Sequence, residues 1–387
     1  MMRIAVFGAS GFVGATLVER LWRAGDAEVV PVIHSSGNAA RLARFGKPLV
    51  TADALQPDTL DRALDGCSHV VNCSRGPAEV MVRGLRNMLD ASRRAKVQQF
   101  VHLSSVAAYG DLEVTMLEES AEPRPARNTY GWTKNAQDQL VQRAADGGLR
   151  CAVLCPPNIS GSYSAFLMEV VQSIRRSELA LVEDGSYPVE LVDVENLVHA
   201  IRLALRAPEI DGRRIFVTDG RPRTWADLAA ALAPLADANG PLPSIGLDVA
   251  RQLSAEPAAA PASLIRTFKH FCSADVRNAL KKDPLIASAD KSVKGMIRRV
   301  APLERALRRR FEERAPIKRV ARGPRVSERL IRQQLRNIRY SQTRARDVLG
   351  YEPLITPEQS MNAFRAWYSE LHGWQDAAWP LSRHLYQ

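Results

Sequence analysis

The chain of 387 residues has no stretch approaching 18 uninterrupted apolar residues, which argues against a membrane-spanning helix. Cysteine is scarce: there are five, an odd number, scattered without a CxxC pair, so the sequence signals neither a disulfide framework nor a thiolate metal site. Cys151 and Cys155 in "CAVLC" lie close only in sequence. On a strand rising ~3.3 Å per residue they would stand about 13 Å apart, beyond disulfide reach. Buried free thiols in a reducing cytoplasm are the expected state. His102, His199 and His270 lack ligand spacing and read as structural histidines. The opening "MMRIAVFGAS" enters a strand and a glycine turn directly, without the basic segment, apolar run and cleavage site of a secretory signal. A cytoplasmic location is the expectation. No internal repeat is visible.

Hydrophobic residues make up 46% and charged ones 25%, near the average of folded domains, and the length suits two domains or one large domain with insertions. The net charge of +11 is unevenly spread. Residues 291–340 hold 17 Lys and Arg against four acids, a net of 17 − 4 = +13, so the remainder sums to 11 − 13 = −2. A near-neutral protein carries one basic segment.

The first half alternates strand-like apolar runs with amphipathic helices. Ile4–Phe7, "AEVVPVI", "PLVTAD", "HVVNCS", "QQFVHLSSV" and "LRCAVLCPP" read as strands; segments from Phe12, "TLDRALDGC", "AEVMVRGLRNMLDASRRAKV" and the run containing "YGWTK" read as helices. Such alternation, with strands apolar throughout, predicts an α/β fold in which a doubly wound parallel sheet is covered on both faces. Beyond Pro157 come a helix in "SAFLMEVVQSIRRSEL", a strand feeding a helix in "VELVDVENLVHAIRLALRAP" and a short strand in "RRIFVTDG". The Ala-, Pro- and Ser-rich stretch from about Ala236 to Ser263 reads as a surface loop or linker.

Two motifs carry chemistry. "GASGFVG" places Gly8, Gly11 and Gly14 between the first strand and the first helix, where glycines let the backbone approach a pyrophosphate held at the helix N-terminus. "YGWTK" puts Tyr130 and Lys134 four residues apart, on one helix face. An ammonium beside a phenol favours the phenolate, so the pair is expected to lower the Tyr130 pKa toward a useful range for proton transfer.

The GxxGxxG spacing, "SS" closing a central strand and YxxxK on the next helix together resemble the extended short-chain dehydrogenase/reductase family, which includes nucleotide-sugar epimerases and dehydratases and the 3β-hydroxysteroid dehydrogenases. The likeness covers roughly residues 1–235 and 340–370. It implies a Rossmann domain over 1–157, completed by about 188–220. The substrate region would be 158–187 with 221–387, smaller and mostly helical, including a basic helical insertion at about 264–340. It also implies Ser105, Tyr130 and Lys134 as catalytic residues, with Ser104 in support. Cofactor contacts would come from Gly8, Ser10, Gly11, Phe12, Val13 and Gly14, from Asp53 and Ala54, from Cys73 and Ser74, from Tyr130, Lys134 and Pro156. Ser105 and Asn158 would meet the substrate. Cys155 and Ser160 replace the arginine and tyrosine usual in the family's RPxxVYG motif, and the interval from Gly161 to "VDVENL" is short for a uridine-binding loop; sugar-nucleotide chemistry is not indicated.

The second strand ends without the acid that would bind the ribose 2′-hydroxyl of NAD; His34, Ser35 and Arg41 follow instead and favour NADP, with NAD as the alternative. The expected activity is that of an NAD(P)-dependent oxidoreductase or epimerase/dehydratase, moving a hydride between nicotinamide and a secondary alcohol or ketone of a small sugar-, sterol- or polyketide-like molecule. A dinucleotide sensor without chemistry is the competing reading. In the basic segment Met296, Val300, Leu303, Leu307 and Phe311 form an apolar stripe flanked by arginines, interrupted only by Pro302. It fits either a helix docked on the protein's own core or a peripheral contact with an anionic membrane at its inner face. Nothing in it supports specific nucleic-acid recognition. A homodimer is left open.

Overall fold

The structure, a computed structural model, describes residues 2–35, 39–221, 223–238, 240–254 and 326–376. The first half runs β1 (Met2–Phe7), α1 (Phe12–Ala24), β2 (Ala27–Ile33), α2 (Ala40–Ala43), β3 (Val50–Thr51), α3 (Pro57–Ala63), β4 (His69–Asn72), α4 (Ala78–Arg94), β5 (Gln99–Leu103), β6 (Met116–Leu117), α5 (Tyr130–Asp146) and β7 (Arg150–Cys155). The second continues with β8 (Asn158–Ser160), α6 (Ala165–Arg175), β9 (Leu181–Val182), β10 (Pro188–Val189), β11 (Leu191–Asp193), α7 (Val194–Ala204), β12 (Arg214–Phe216), β13 (Arg223–Thr224), α8 (Trp225–Leu232), β14 (Ser244–Ile245) and α9 (Leu247–Ser254). After the undescribed stretch come α10 (Glu328–Gln334), β15 (Arg339–Tyr340), α11 (Thr343–Leu349) and α12 (Pro357–Asp376).

Seven strands form a parallel sheet in the order β12-β7-β5-β4-β1-β2-β3. Its central strands are apolar on both faces because both faces are covered: Ile4, Ala5 and Val6 of β1 and Val70 and Val71 of β4 are fully buried. One face packs Leu17 of α1, Leu197 and Ile201 of α7 and Leu349 of α11; the other packs Leu60 of α3, Leu85 and Met88 of α4 and Val141 of α5. This is the doubly wound α/β fold expected from the alternation. A separate core joins α6, α8, α10 and α12 around Trp225, Phe364 and Leu330.

The chain winds outward from β1 through β2 to β3, then returns to β4 and winds the opposite way. The reversal lies between β1 and β4, which pair Phe7 with Asn72. A crevice at the carboxyl ends of strands on either side of such a switch point is where open α/β sheets bind ligands.

Two expectations are corrected. The stretch read as a linker from Ala236 folds in part: Ser244–Ile245 pairs with β9, and Leu247–Ser254 is a helix. The basic insertion does not extend to residue 340. Residues 1–250 with 326–387 form one compact unit and 251–325 a second, of which only 251–254 are described. From Val326 onward the chain is woven into the first unit: α10 buries Leu330 and Ile331, and β15 pairs in parallel with β6. Periodicity alone does not reveal this boundary, because it is set by long-range packing. The apolar stripe Met296–Phe311, His270 and Trp379 lie outside the described residues. Trp367 stacks on Phe364 and Tyr163. No helix among the described residues is long and apolar enough to cross a membrane. Cys67, Cys73, Cys151 and Cys155 are free thiols, Cys151 and Cys155 both buried.

Candidate active site

Because the sheet is parallel, every residue that follows a strand lies on the same edge. Gly8 follows β1, His34 and Ser35 follow β2, Asp53 and Ala54 follow β3, Cys73 and Ser74 follow β4, Ser104 and Ser105 follow β5, and Pro156 follows β7. These residues therefore lie along the carboxyl-end edge of the sheet.

The glycine turn is built by close approach. Gly8 has φ +72 and packs so tightly on the β4 loop that a Cβ would meet the Cys73 carbonyl and Ser74 Cα at 2.8 Å. Gly14 abuts Gly8, whose carbonyl oxygen would lie 2.2 Å from a Cβ. Gly11 differs: a Cβ there would meet only the Gly8 oxygen, at 3.2 Å, and the residue is exposed. Gly11 caps α1 in extended conformation with no side-chain cap, and no acid stands in the first turn. Ser10 and Phe12 flank it half-buried, and Val13 is buried. The open N–H groups and the positive end of the helix dipole suit a phosphate. The residues present thus fit a dinucleotide.

Arg41 is not a free cation. Its Nε lies 3.1 Å from Glu19 Oε1, its Nη2 donates to Thr16 Oγ1 at 2.9 Å, and its guanidinium lies 4.4 Å from the Tyr163 ring centre. Glu19 is buried and also accepts from Arg44 at 2.5 Å. A ribose phosphate would have to share Arg41 with this carboxylate. His34 and Ser35 are exposed. Asp53 uses its Oδ1 to accept from Leu55 N at 2.9 Å, and the Ala54 carbonyl accepts from Asn87 Nδ2 at 2.9 Å, which fixes the β3–α3 turn.

Tyr130 is the first residue of α5, whose cap is Thr129, its side chain accepting from Trp132 N. Placed there, the ring stays 39% exposed while Lys134, one turn in, is 3% exposed. Lys134 Nζ donates to the Leu103 carbonyl at 2.8 Å, at the end of β5, and lies 5.9 Å from the Tyr130 ring centre. Burial drives the Lys134 pKa down to about 8, opposed by Asp138. Ser105 begins a short 3-10 turn and accepts from Ala107 N at 3.2 Å, so its hydroxyl is oriented by the backbone. Gly131 packs α5 against that turn: a Cβ there would lie 2.1 Å from the Ala107 oxygen.

The expected lowering of the Tyr130 pKa by Lys134 is corrected here. Burial raises the Tyr130 pKa above the ordinary tyrosine value, and the cation that opposes the rise is Arg75, in the β4–α4 loop, with its guanidinium 4.9 Å from the ring centre. Sequence spacing reveals same-face neighbours but neither desolvation nor a loop folding over the ring.

Beneath the pair lies a buried polar cluster that sequence reading missed. His102 Nδ1 is 3.2 Å from Asn72 Nδ2, His102 Nε2 is 3.9 Å from Asp138 Oδ1, and Arg214 Nε donates to Asp138 Oδ2 at 2.6 Å. Burial holds His102 well below its usual pKa, hence neutral, and raises that of Asp138, with Arg214 opposing the latter. The signal was available: Tyr130, Lys134 and Asp138 recur every four residues. Asn158, the expected substrate contact, is half-buried and donates from Nδ2 to Gln333 Oε1 at 3.3 Å, which brings α10 into the region. Pro156 is buried, and its carbonyl accepts from Val106 N at 3.1 Å.

A family profile described as the NAD dependent epimerase/dehydratase family matches residues 4–217. The chain is 28% identical to a 4-hydroxy-2-methyl-3-oxo-4-farnesyl-3,4-dihydroquinoline-1-oxide ketoreductase of Stigmatella aurantiaca, over 63% of this chain and 75% of that protein. It is also 28% identical to a UDP-glucose 4-epimerase of Streptomyces lividans, over 51% of this chain and 68% of the other. Among solved structures, UDP-glucuronic acid 4-epimerase from Bacillus cereus in complex with NAD superposes with a TM-score of 0.64 at 15% identity, over 96% of this chain and all of that one (100%). RMD from Pseudomonas aeruginosa complexed with NADPH gives 0.59 at 18% identity, over 95% and 99% of the two chains.

Proposed function

The chain belongs to the NAD dependent epimerase/dehydratase family, and from that premise we propose that it is a reductase acting on a ketone, or the corresponding secondary alcohol, of a small molecule that is not a nucleotide sugar. The observation that carries this reading is that Lys134, 5.9 Å from the Tyr130 ring centre, donates to the Leu103 carbonyl two residues before Ser105, at the carboxyl ends of the sheet whose β1 leads into the glycine turn. When bound, the dinucleotide supplies or takes a hydride at C4 of its nicotinamide. Ser105 holds the substrate oxygen and Tyr130 gives it, or removes from it, the proton. Lys134 anchors the nicotinamide ribose, and Asn158, set by Gln333, orients the substrate. Cys155 and Ser160, at the family's arginine and tyrosine positions, and the short interval from Gly161 to Val192, too short for a uridine-binding loop, speak against a nucleotide sugar, in keeping with the ketoreductase similarity.

NADP is the preferred cofactor: β2 ends without the acid that would bind a ribose 2′-hydroxyl and is followed by His34, Ser35 and, beyond them, Arg41, whose guanidinium a 2′-phosphate would share with Glu19. Dissociation constants for NADPH and NADH from nicotinamide fluorescence test this, and a tenfold preference for NADH would reverse it. For the basic segment we propose, from its charge, a peripheral contact of residues 291–325 with anionic membrane; sedimentation with anionic but not neutral liposomes at low salt is the check.

Tyr130→Phe tests the assignment itself. Binding of NADPH should stay within about twofold, while turnover on a panel of ketones falls by about 10² or more, the usual scale for a lost acid or base. Wild-type turnover in this variant would remove Tyr130 from the chemistry.

A further inference from the structure

We propose that Arg75 is the permanent cation that holds the phenolate of Tyr130, a role the YxxxK spacing assigns to the lysine alone. The inference rests on Tyr130 being the acid–base group. The guanidinium lies 4.9 Å from the Tyr130 ring centre, closer than the Lys134 ammonium at 5.9 Å. Lys134 is moreover turned toward the Leu103 carbonyl, 2.8 Å away. Arg75 is exposed and has no carboxylate partner among the described residues, so its charge is not neutralised by a neighbour. A nearby cation favours the charged form of an acid, and the Arg75 charge acts on the Tyr130 hydroxyl in that direction.

The charged and titratable groups facing Tyr130 come from three elements, Arg75 from the β4–α4 loop, Lys134 and Asp138 from α5, and Cys155 from β7, with Arg214 of β12 and His102 of β5 standing behind Asp138. Asp138 and Cys155 both disfavour a phenolate. The lysine loses its proton around pH 8, within the range where such a base works, whereas a guanidinium keeps its charge throughout. Proton transfer from the Tyr130 hydroxyl to the substrate oxygen forms one O–H bond as it breaks another and leaves a phenolate. In the reverse direction the phenolate takes that proton back. Arg75 stabilises the charged partner of both steps.

Arg75 acts through Tyr130, so it is a positioning residue whose mark is a titration rather than a rate alone. The tyrosinate absorbance of the cofactor-free protein is followed against pH in the wild type, Tyr130→Phe, Arg75→Gln and Arg75→Lys. The wild type minus Tyr130→Phe isolates the Tyr130 step. In Arg75→Gln that step should move up by about one pH unit or more, and in Arg75→Lys, whose ammonium loses its charge over the same pH range, it should lie between the wild type and Arg75→Gln. A step unmoved by Arg75→Gln overturns the proposal, as does an Arg75→Lys step shifted further than that of Arg75→Gln. These outcomes need no substrate, so they are separate from the failure of the functional reading, which is full turnover in Tyr130→Phe.

Discussion

Among the three glycines of the first turn, identical residues have different duties, and substitution should tell them apart. A methyl at Gly14 would lie 2.2 Å from the Gly8 carbonyl oxygen, inside the packing of helix on strand. Gly14→Ala should therefore lower stability by about 1–3 kcal/mol, read as a drop in Tm, because backbone must move. A side chain at Gly11 has open space beyond a single contact at 3.2 Å. Gly11→Val should leave Tm within a few degrees and weaken dinucleotide binding by about tenfold or more, if the open side is the proposed pyrophosphate path. Equal dinucleotide affinity in the folded variant would make the turn an ordinary one. The positions of these glycines were readable from their place between an apolar strand and an amphipathic helix. What each one touches was not, because Cys73 and Ser74, which crowd Gly8, come from a strand more than sixty residues later. Arg75 was hidden for the same reason: nothing local ties a loop arginine to a tyrosine on a different helix.

At the scale of elements, α5 delivers two of the proposed catalytic groups and the 3-10 turn after β5 delivers the third, and Gly131 sets the distance between them. Gly131→Ala would place a Cβ 2.1 Å from the Ala107 oxygen and force the helix off the turn that carries Ser105. Turnover should fall by about tenfold or more, as expected for misplacing reacting groups, with dinucleotide binding retained. Thr129→Ala is the companion: it removes the cap on Trp132 N and should cost about 1 kcal/mol of stability, with turnover changed less than by Gly131→Ala. Reversal of that order in kcat would show that fraying, rather than spacing, matters. The helix and its motif were plain in the sequence, where "YGWTK" shares a face. The glycine in the motif passed as a spacer, since its need for close contact is set by a turn 24 residues upstream. Likewise α10 could not be assigned to the region around Asn158, because Gln333 reaches it across 175 residues of chain.

For the molecule as a whole, buried carboxyls set a pH dependence. Asp219 accepts from Asp193 N and Asn196 Nδ2, yet burial pushes it up to about 7; Glu190, also pushed up to about 7 by burial, has Arg339 only at 3.7 Å. Acids whose folded pKa is raised bind more protons than the unfolded chain, so their stabilisation is full at low pH and is lost as pH climbs through about 7. Tm followed from pH 5 to 8 should show Asp219→Asn gaining on the wild type as pH rises; parallel curves would show that Asp219 is ionised throughout. The sheet and its winding were legible from alternation alone, whereas the boundary near residue 325 was not, because composition runs unbroken across it. That boundary has a consequence for how the chain can be assembled. Ala250 and Ile331 meet in one small cluster with Val182, and β15 lies along β6, so the pieces on either side of residues 251–325 hold each other by native packing. Two separately expressed polypeptides, 1–254 and 326–387, should then reconstitute a dinucleotide-binding heterodimer, joined by complementarity instead of by peptide continuity.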